Sequence, residues 1–340
     1  MKALTRFREL GTGFENVPAR ELVRMAELAE DLGYGTFWIP EDYFFRGAFS
    51  LAAAVAMRTR TIRIGIGVLN PYTRHPALTA MELGALEELS EGRAVLGVGA
   101  GLRSWIEQMG IPYARPTVAM RETVAIVRAL FRGETLSHEG QAFRTAAVKL
   151  AFTPPRAEVP VHLGVIGPKN LEMAGEIAEG VILSGMSSPA YVRFAVEHLR
   201  RGAERSGRRL EDLEVSAFLL ISVDDDERRA REAVKPFLAT LIGLMAPHPE
   251  SPLFTAPGIS PHELAPFGER FALGDLPIDL VTDRIVDTFA IAGTPDHCRA
   301  LLDELAAAGV QSPIAFEVPG VPAEQTIRSI HRHLGGRFTH

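Results

Sequence analysis

Cysteine is nearly absent from this 340-residue chain. Cys298 is the only one, which excludes an internal disulfide and any zinc or iron–sulfur site built from several cysteines. A basic excess is missing too. The 36 Lys and Arg stand against 42 Asp and Glu, a formal charge of -6, and no basic stripe suited to a nucleic-acid backbone is present. No apolar run reaches the length of about 18 residues that a membrane helix needs, so no membrane partner is expected. The opening MKALTRFREL carries Lys2, Arg6, Arg8 and Glu9 without an apolar segment behind it, so a cytoplasmic protein without a secretory leader is expected. Neither an HExxH pair nor a G-x-S-x-G elbow occurs. The histidines never pair with acids at ligand spacing, and no metal is expected.

What is present is a folded, soluble composition, 46% hydrophobic and 23% charged. One phrase recurs: an amphipathic helix, a glycine, then a short apolar run. It appears at 29–39 (AEDLGYGTFWI), 85–99, 174–183 and 306–316. Gly33, Gly92, Gly180 and Gly309 sit where a helix ends and positive φ is wanted. Leu22, Met25, Ala29 and Leu32 form the apolar stripe of the first helix, with Pro18 at its start. Ser188-Pro189 and Thr294-Pro295 read as an N-cap followed by proline in the first turn.

Strands are expected near 3–7, 36–39, 62–68, 94–98, 161–165, 181–184, 213–222 and 313–317. Runs such as IRIGIGVL and AVLGVG are apolar throughout, as strands buried on both faces are. Eight such strands alternating with helices imply a (β/α)8 TIM barrel in one domain, 1–340; a doubly wound open sheet is the alternative. Two gaps place insertions after strands four and seven. The first holds a helix near 115–132 and a small hairpin. The second holds helices near 226–242, 280–292 and 295–308, with a Pro/Gly-rich stretch at 247–268 expected to be irregular. An insertion at roughly 243–280 is read either as a lid over the barrel mouth or as a surface excursion.

Barrel chemistry sits at the C-terminal ends of the strands. Strand two ends at Glu41-Asp42, the candidate catalytic acids, beside Tyr43, Phe44 and Phe45. Gly67, Val68 and Asn70 close strand three; Gly99, Ala100 and Gly101 close strand four; Val165, Ile166, Gly167 and Lys169 close strand five; Ser184 and Gly185 close strand six. These are the candidate cofactor-binding residues. The turn Gly97 to Gly101 lacks the third glycine of a dinucleotide fingerprint; it reads as a plain tight turn or as a backbone cradle for a planar ring. Gly167-Pro168-Lys169-Asn170 opens a helix. Its N-terminus suits a phosphate, with Gly167, Lys169 and Asn170 as amide donors. His75 reads as a residue that orients its loop, and Arg103 and Arg115 as surface cations or contacts to an anionic tail.

The run 67–76 (GVLNPYTRHP), then Leu89 to Arg93 and Leu96 to Gly101, resembles the bacterial-luciferase-like superfamily of flavin and deazaflavin enzymes. It is most similar to the methylenetetrahydromethanopterin reductase branch, which uses coenzyme F420. The likeness continues through Gly110-Ile111, Arg132-Gly133-Glu134 and Gly167 to Gly180. It implies a barrel, F420 at the mouth, a homodimer and a non-prolyl cis peptide at Gly67-Val68 behind the middle ring of the cofactor. Association through the helices flanking strands two and three puts Ala52, Ala53, Ala54 and Met57 in the contact. The chain departs from the alcohol and sugar-phosphate dehydrogenases of the superfamily, which place Asp-His after strand two where Glu41-Asp42 stand here. Hydride transfer between the deazaflavin and a small organic acceptor is therefore expected. An FMN-dependent monooxygenase and a cofactor-binding barrel without turnover are the alternatives.

Overall fold

The computed structural model describes residues 7–335. Its strands are β1 (Gly11–Gly13), β2 (Thr36–Ile39), β3 (Arg63–Leu69), β4 (Ala94–Gly99), β5 (Leu136–Glu139), β6 (Arg144–Val148), β7 (Val161–Gly164), β8 (Gly180–Leu183), β9 (Glu214–Val223), β10 (Ala290–Gly293) and β11 (Ser312–Phe316). Eight of them close a parallel barrel in the order β1-β2-β3-β4-β7-β8-β9-β11, with β11 returning to β1. The expected (β/α)8 TIM barrel is what forms.

Burial on both faces explains the strand sequences. An inner cluster of Trp38, Val95, Ile182 and Ile314 fills the barrel, while a larger one packs the strands against the helices. Trp38 sets the inner spacing, because a Cβ on Gly65 or Gly67 would overlap its indole ring.

The base of the barrel is charged. Arg63 pairs with Glu214 at 2.8 Å and with Glu9 at 2.5 Å. Thr36 hydrogen-bonds Glu9. Burial raises the Glu214 pKa, but the Arg63 hydrogen bond and charge outweigh it and hold it at about 2. His162, fully enclosed beside Trp38, is pushed down to about 4 chiefly by burial and is neutral at ordinary pH.

Several expectations are corrected. The first barrel strand among the described residues is β1. Residues 3–6 lie outside the described residues, and Phe7 is in a bend. Gly33, Gly92 and Gly309 have positive φ as expected, but Gly180 does not. It starts β8, where a Cβ would stand 2.7 Å from the Glu214 carbonyl and from the His162 ring. Its requirement is room.

The Pro-rich stretch is not irregular. Ser251 caps the short helix Pro252–Thr255, and Ser260 with Glu263 forms a capping box for Pro261–Ala272. Proline at the first helical position costs no hydrogen bond, so the stretch encodes helix starts. The second helix seats on Glu227–Met245, where Gly243 makes room for the Phe271 ring. The helix expected at 280–292 is shorter, Asp283–Phe289, and β10 follows it on the outer half of β9. Four apolar residues fit either state by pattern alone. The expected hairpin after strand four is β5 and β6.

Candidate active site

The C-terminal strand ends gather three groups of residues around the mouth. The first surrounds Val68. The peptide Gly67-Val68 is cis, and the register between β3 and β4 shifts between Ile66 and Leu69, so the strand bulges there. The Val68 side chain occupies the space left by two glycines. A Cβ on Gly99 would lie 2.6 Å from its Cγ2, and one on Gly164 2.5 Å from its Cγ1. Asn70 is buried and donates to the Ala100 carbonyl at 2.5 Å, while its Oδ1 accepts from the Tyr72 amide at 2.7 Å. Gly101, at φ 67°, passes against the Asn70 amide. The Gly-rich turn 97–101 is thus shaped around Val68 and Asn70.

The second group is the start of helix Pro168–Ile177, with Gly167 as its N-cap. The Asn170 amide already donates to the Gly167 carbonyl at 3.1 Å, and its side-chain oxygen accepts from Thr117 at 2.7 Å. This corrects the expected donor set. Proline has no N–H, so the amides of Gly167 and Lys169 are the donors that remain. A Cβ on Gly167 would project into open space, and the Lys169 side chain is exposed. Nearby, Val165 is buried and the Ile166 carbonyl accepts from Tyr191 at 3.1 Å. Ser184 and Gly185 follow β8; the Ser184 carbonyl accepts from Ser187, and Gly185 faces Leu241 of helix Glu227–Met245.

The third group is acidic. Glu41 is spent on the wall: it pairs with Arg74 at 2.9 Å and accepts from the Ala48 amide at 3.0 Å, tying down helix Ala48–Arg58. Asp42 instead meets Glu15, and the two carboxyls hydrogen-bond. Glu317 lies close by. Burial first, then the Asp42 carboxylate, pushes the Glu15 carboxyl up to about 9, and Glu317 adds to it. Burial also raises Asp42 and Glu317. Burial and mutual repulsion thus favour a proton shared by the Glu15–Asp42 pair, with the stronger upward push on Glu15.

Aromatics complete the mouth. Phe316 stacks edge-on to Phe218 at 5.4 Å and meets Phe237 of helix Glu227–Met245 at 5.9 Å. Tyr43 binds the Thr73 hydroxyl at 2.7 Å and meets Trp105 edge-on. Phe44 and Phe45 are exposed on the rim, after a second cis peptide at Tyr43-Phe44. His75, expected to orient its loop, caps helix Pro76–Ser90, its Nδ1 accepting from the Ala77 amide at 3.2 Å. Arg103 lies over the Tyr113 ring at 4.9 Å, and Arg115 bonds Gln141.

Comparison with known proteins places this arrangement. The sequence profile described as Luciferase-like monooxygenase matches residues 3–312. The chain belongs to this family. Among its luciferase-like relatives, the 5,10-methylenetetrahydromethanopterin reductase of Methanolobus tindarius is 35% identical over 330 residues, covering 95% of this chain and 99% of that one. The Archaeoglobus fulgidus reductase of the same name is 34% identical, covering 95% and 98%. The solved coenzyme F420-dependent tetrahydromethanopterin reductase of Methanopyrus kandleri superposes with a TM-score of 0.86 at 28% identity, covering 96% and 97%. In this luciferase-like chain no helix among the described residues is long and apolar enough to cross a membrane. No group of three or more His, Cys, Asp or Glu among them is placed to hold a metal ion.

Sequence reasoning missed Glu15, Glu317 and the Phe218, Phe237 and Phe316 cluster. Glu15 lies two residues past β1 and Glu317 one past β11. The strand-end rule that found Asp42 finds Glu15 once β1 is set at 11–13, and Glu317 is the last residue of the strand expected at 313–317.

Proposed function

We propose that this chain is an oxidoreductase that moves a hydride between coenzyme F420 and a small organic acceptor, as 5,10-methylenetetrahydromethanopterin reductases do. The near full-length match to the Methanolobus tindarius reductase carries this reading. The residues of the mouth fit such a cofactor. Val68 and its bulge offer an apolar backing for a planar ring, and Gly67, Asn70, Gly99, Ala100 and Gly101 fix that bulge. The open space beside Gly167 and the amides of Gly167 and Lys169 offer a phosphate site at a helix N-terminus. Val165 and Ile166 lead from β7 into that helix start, and Ser184 and Gly185 follow β8 on its other side.

When bound, the deazaflavin supplies a carrier of two electrons and one proton's worth of hydrogen as hydride. The chain supplies orientation, exclusion of water and the second proton. Reducing a neutral double bond adds hydride to one atom and requires a proton on the other. The Glu15–Asp42 pair shares such a proton, with the stronger upward push on Glu15. Glu41 holds the wall through Arg74.

The protein is further read as a cytoplasmic homodimer. Met57, Leu78 and Met81 stand exposed on helices Ala48–Arg58 and Pro76–Ser90. Of the four residues expected in that contact, Ala54 and Met57 face outward, Ala53 is half-buried, and Ala52 packs into the core.

Titration of the purified protein with F420, followed by quenching of cofactor fluorescence, tests the function. Saturable binding at micromolar concentration is expected. Tight FMN binding without F420 binding would overturn the reading in favour of a flavin enzyme.

A further inference from the structure

Glu15 and Glu317 lie 302 positions apart in the chain and side by side in the barrel. The β1–β11 register makes this so: Gly13 is opposite Phe316, so the next residues of both strands emerge together at the mouth. Phe14 and Val17 of the turn after β1 are buried in the core, and Glu15 between them is half-buried. The Glu317 Oε1 accepts from the Asn16 amide at 3.0 Å, and its carboxylate also accepts from the Glu15 amide. One carboxylate thus holds two successive N–H groups of the turn that carries the acid. The Glu15 Oε1 is buried and has no hydrogen-bond partner among the described residues, so the acid has an unengaged oxygen.

We propose that Glu317 is a positioning residue for the proton donor Glu15: it clamps the Glu15–Asn16 turn at the barrel seam and, as a like charge, keeps the donor's proton on. The proposal rests on the reading of Glu15 as the acid of hydride transfer. The groups facing Glu15 are acidic on both sides. Asp42 stands on the β2 loop and Glu317 on the β11 loop. Beyond Asp42 are Tyr43 and the pair Glu41 and Arg74, and Arg74 is engaged by both Glu41 and Glu82. Among the described residues, the charged groups that act on Glu15 are Asp42 and Glu317, and both favour keeping its proton.

The step balances. The Glu15 O–H bond would break and its proton pass to one atom of the acceptor, while the neighbouring atom would take the hydride that a bound, reduced deazaflavin would supply. Glu15 is left as a carboxylate and regains its proton from water.

The test uses the protein without cofactor. Infrared difference spectra across pH follow the carbonyl stretch of the protonated carboxyl, assigned by its loss in Glu15→Gln. Glu317→Gln keeps an acceptor oxygen for the two amides and removes the charge. The proton affinity of Glu15 is expected to fall about tenfold or more, one pH decade at the midpoint. An unchanged midpoint in Glu317→Gln, or a parent spectrum without a band that Glu15→Gln removes, overturns the proposal. Glu317→Ala removes both amide contacts, and hydrogen exchange at the Glu15 and Asn16 amides is expected to speed up about tenfold in it. Unchanged exchange in that variant overturns the clamp. Failure of F420 to bind would sink the proposed function while leaving both of these readouts interpretable.

Discussion

Gly164→Ala isolates one contact at the mouth. The added Cβ would stand 2.5 Å from the Val68 Cγ1, with the Val68 Cβ at 3.5 Å and Cγ2 at 3.6 Å as its next neighbours. The clash is therefore with one side chain. Overpacking of this kind typically costs about 1–3 kcal/mol. Val68→Ala removes both methyls of a half-buried side chain, and at about 0.8 kcal/mol per fully buried carbon the loss is about 1 kcal/mol. Independent effects would sum to about 2–4 kcal/mol. In the double variant the new methyl fills the vacated space, so the total should be close to that of Val68→Ala alone. The coupling is then about 1–3 kcal/mol of mutual rescue. Urea unfolding of the four proteins measures it, with equal m-values as the check on two-state behaviour. Additivity within about 0.5 kcal/mol would refute the reasoning. The same cycle with Gly99→Ala should rescue less, because its Cβ also meets the Gly164 carbonyl at 3.1 Å. Cofactor affinity should not be rescued in either double variant, since the apolar backing stays truncated.

Three other outcomes are expected. His162 is held near 4 against an ordinary 6.5, so the stability it contributes is complete above pH 6.5 and is lost as pH falls toward 4. That loss amounts to about 3 kcal/mol at about 1.36 kcal/mol per pH decade, and His162→Gln should flatten this part of the stability–pH curve. Gly167→Val, which fills the open space at the helix start, should weaken F420 binding more than tenfold by fluorescence titration, whereas Lys169→Ala, which removes an exposed charge, should weaken it less. Light scattering should give twice the 37.0 kDa chain mass, and Met57→Glu with Met81→Glu should return it to the monomer value.

The barrel was legible because its central strands are buried on both faces and read as apolar runs with glycine. Its first strand was not, because Gly-Thr-Gly offers neither alternation nor an apolar run. That three-residue gap hid Glu15, since a strand-end rule finds nothing when the strand is misplaced. Asp42 was legible as a strand-end acid. The division of labour between it and Glu41 was not, because only the fold brings Arg74 and the Ala48 amide to Glu41. The cis peptide at Gly67-Val68 came from family resemblance; propensity alone gives no sign of it. The donor set at Gly167 was overcounted because local sequence does not say that Asn170 turns its amide back on the Gly167 carbonyl.

The pairing of β1 with β11 bears on how the protein is made. A chain emerging from the ribosome exposes its residues in order, so the Val68 bulge and the Gly167 helix start are out long before Glu317. A nascent chain stopped short of β11 contains every residue proposed to grip the cofactor and lacks the one that clamps the acid. Synthesis thus supplies the acid first, the grip next and the clamp last, together with the strand that closes the barrel.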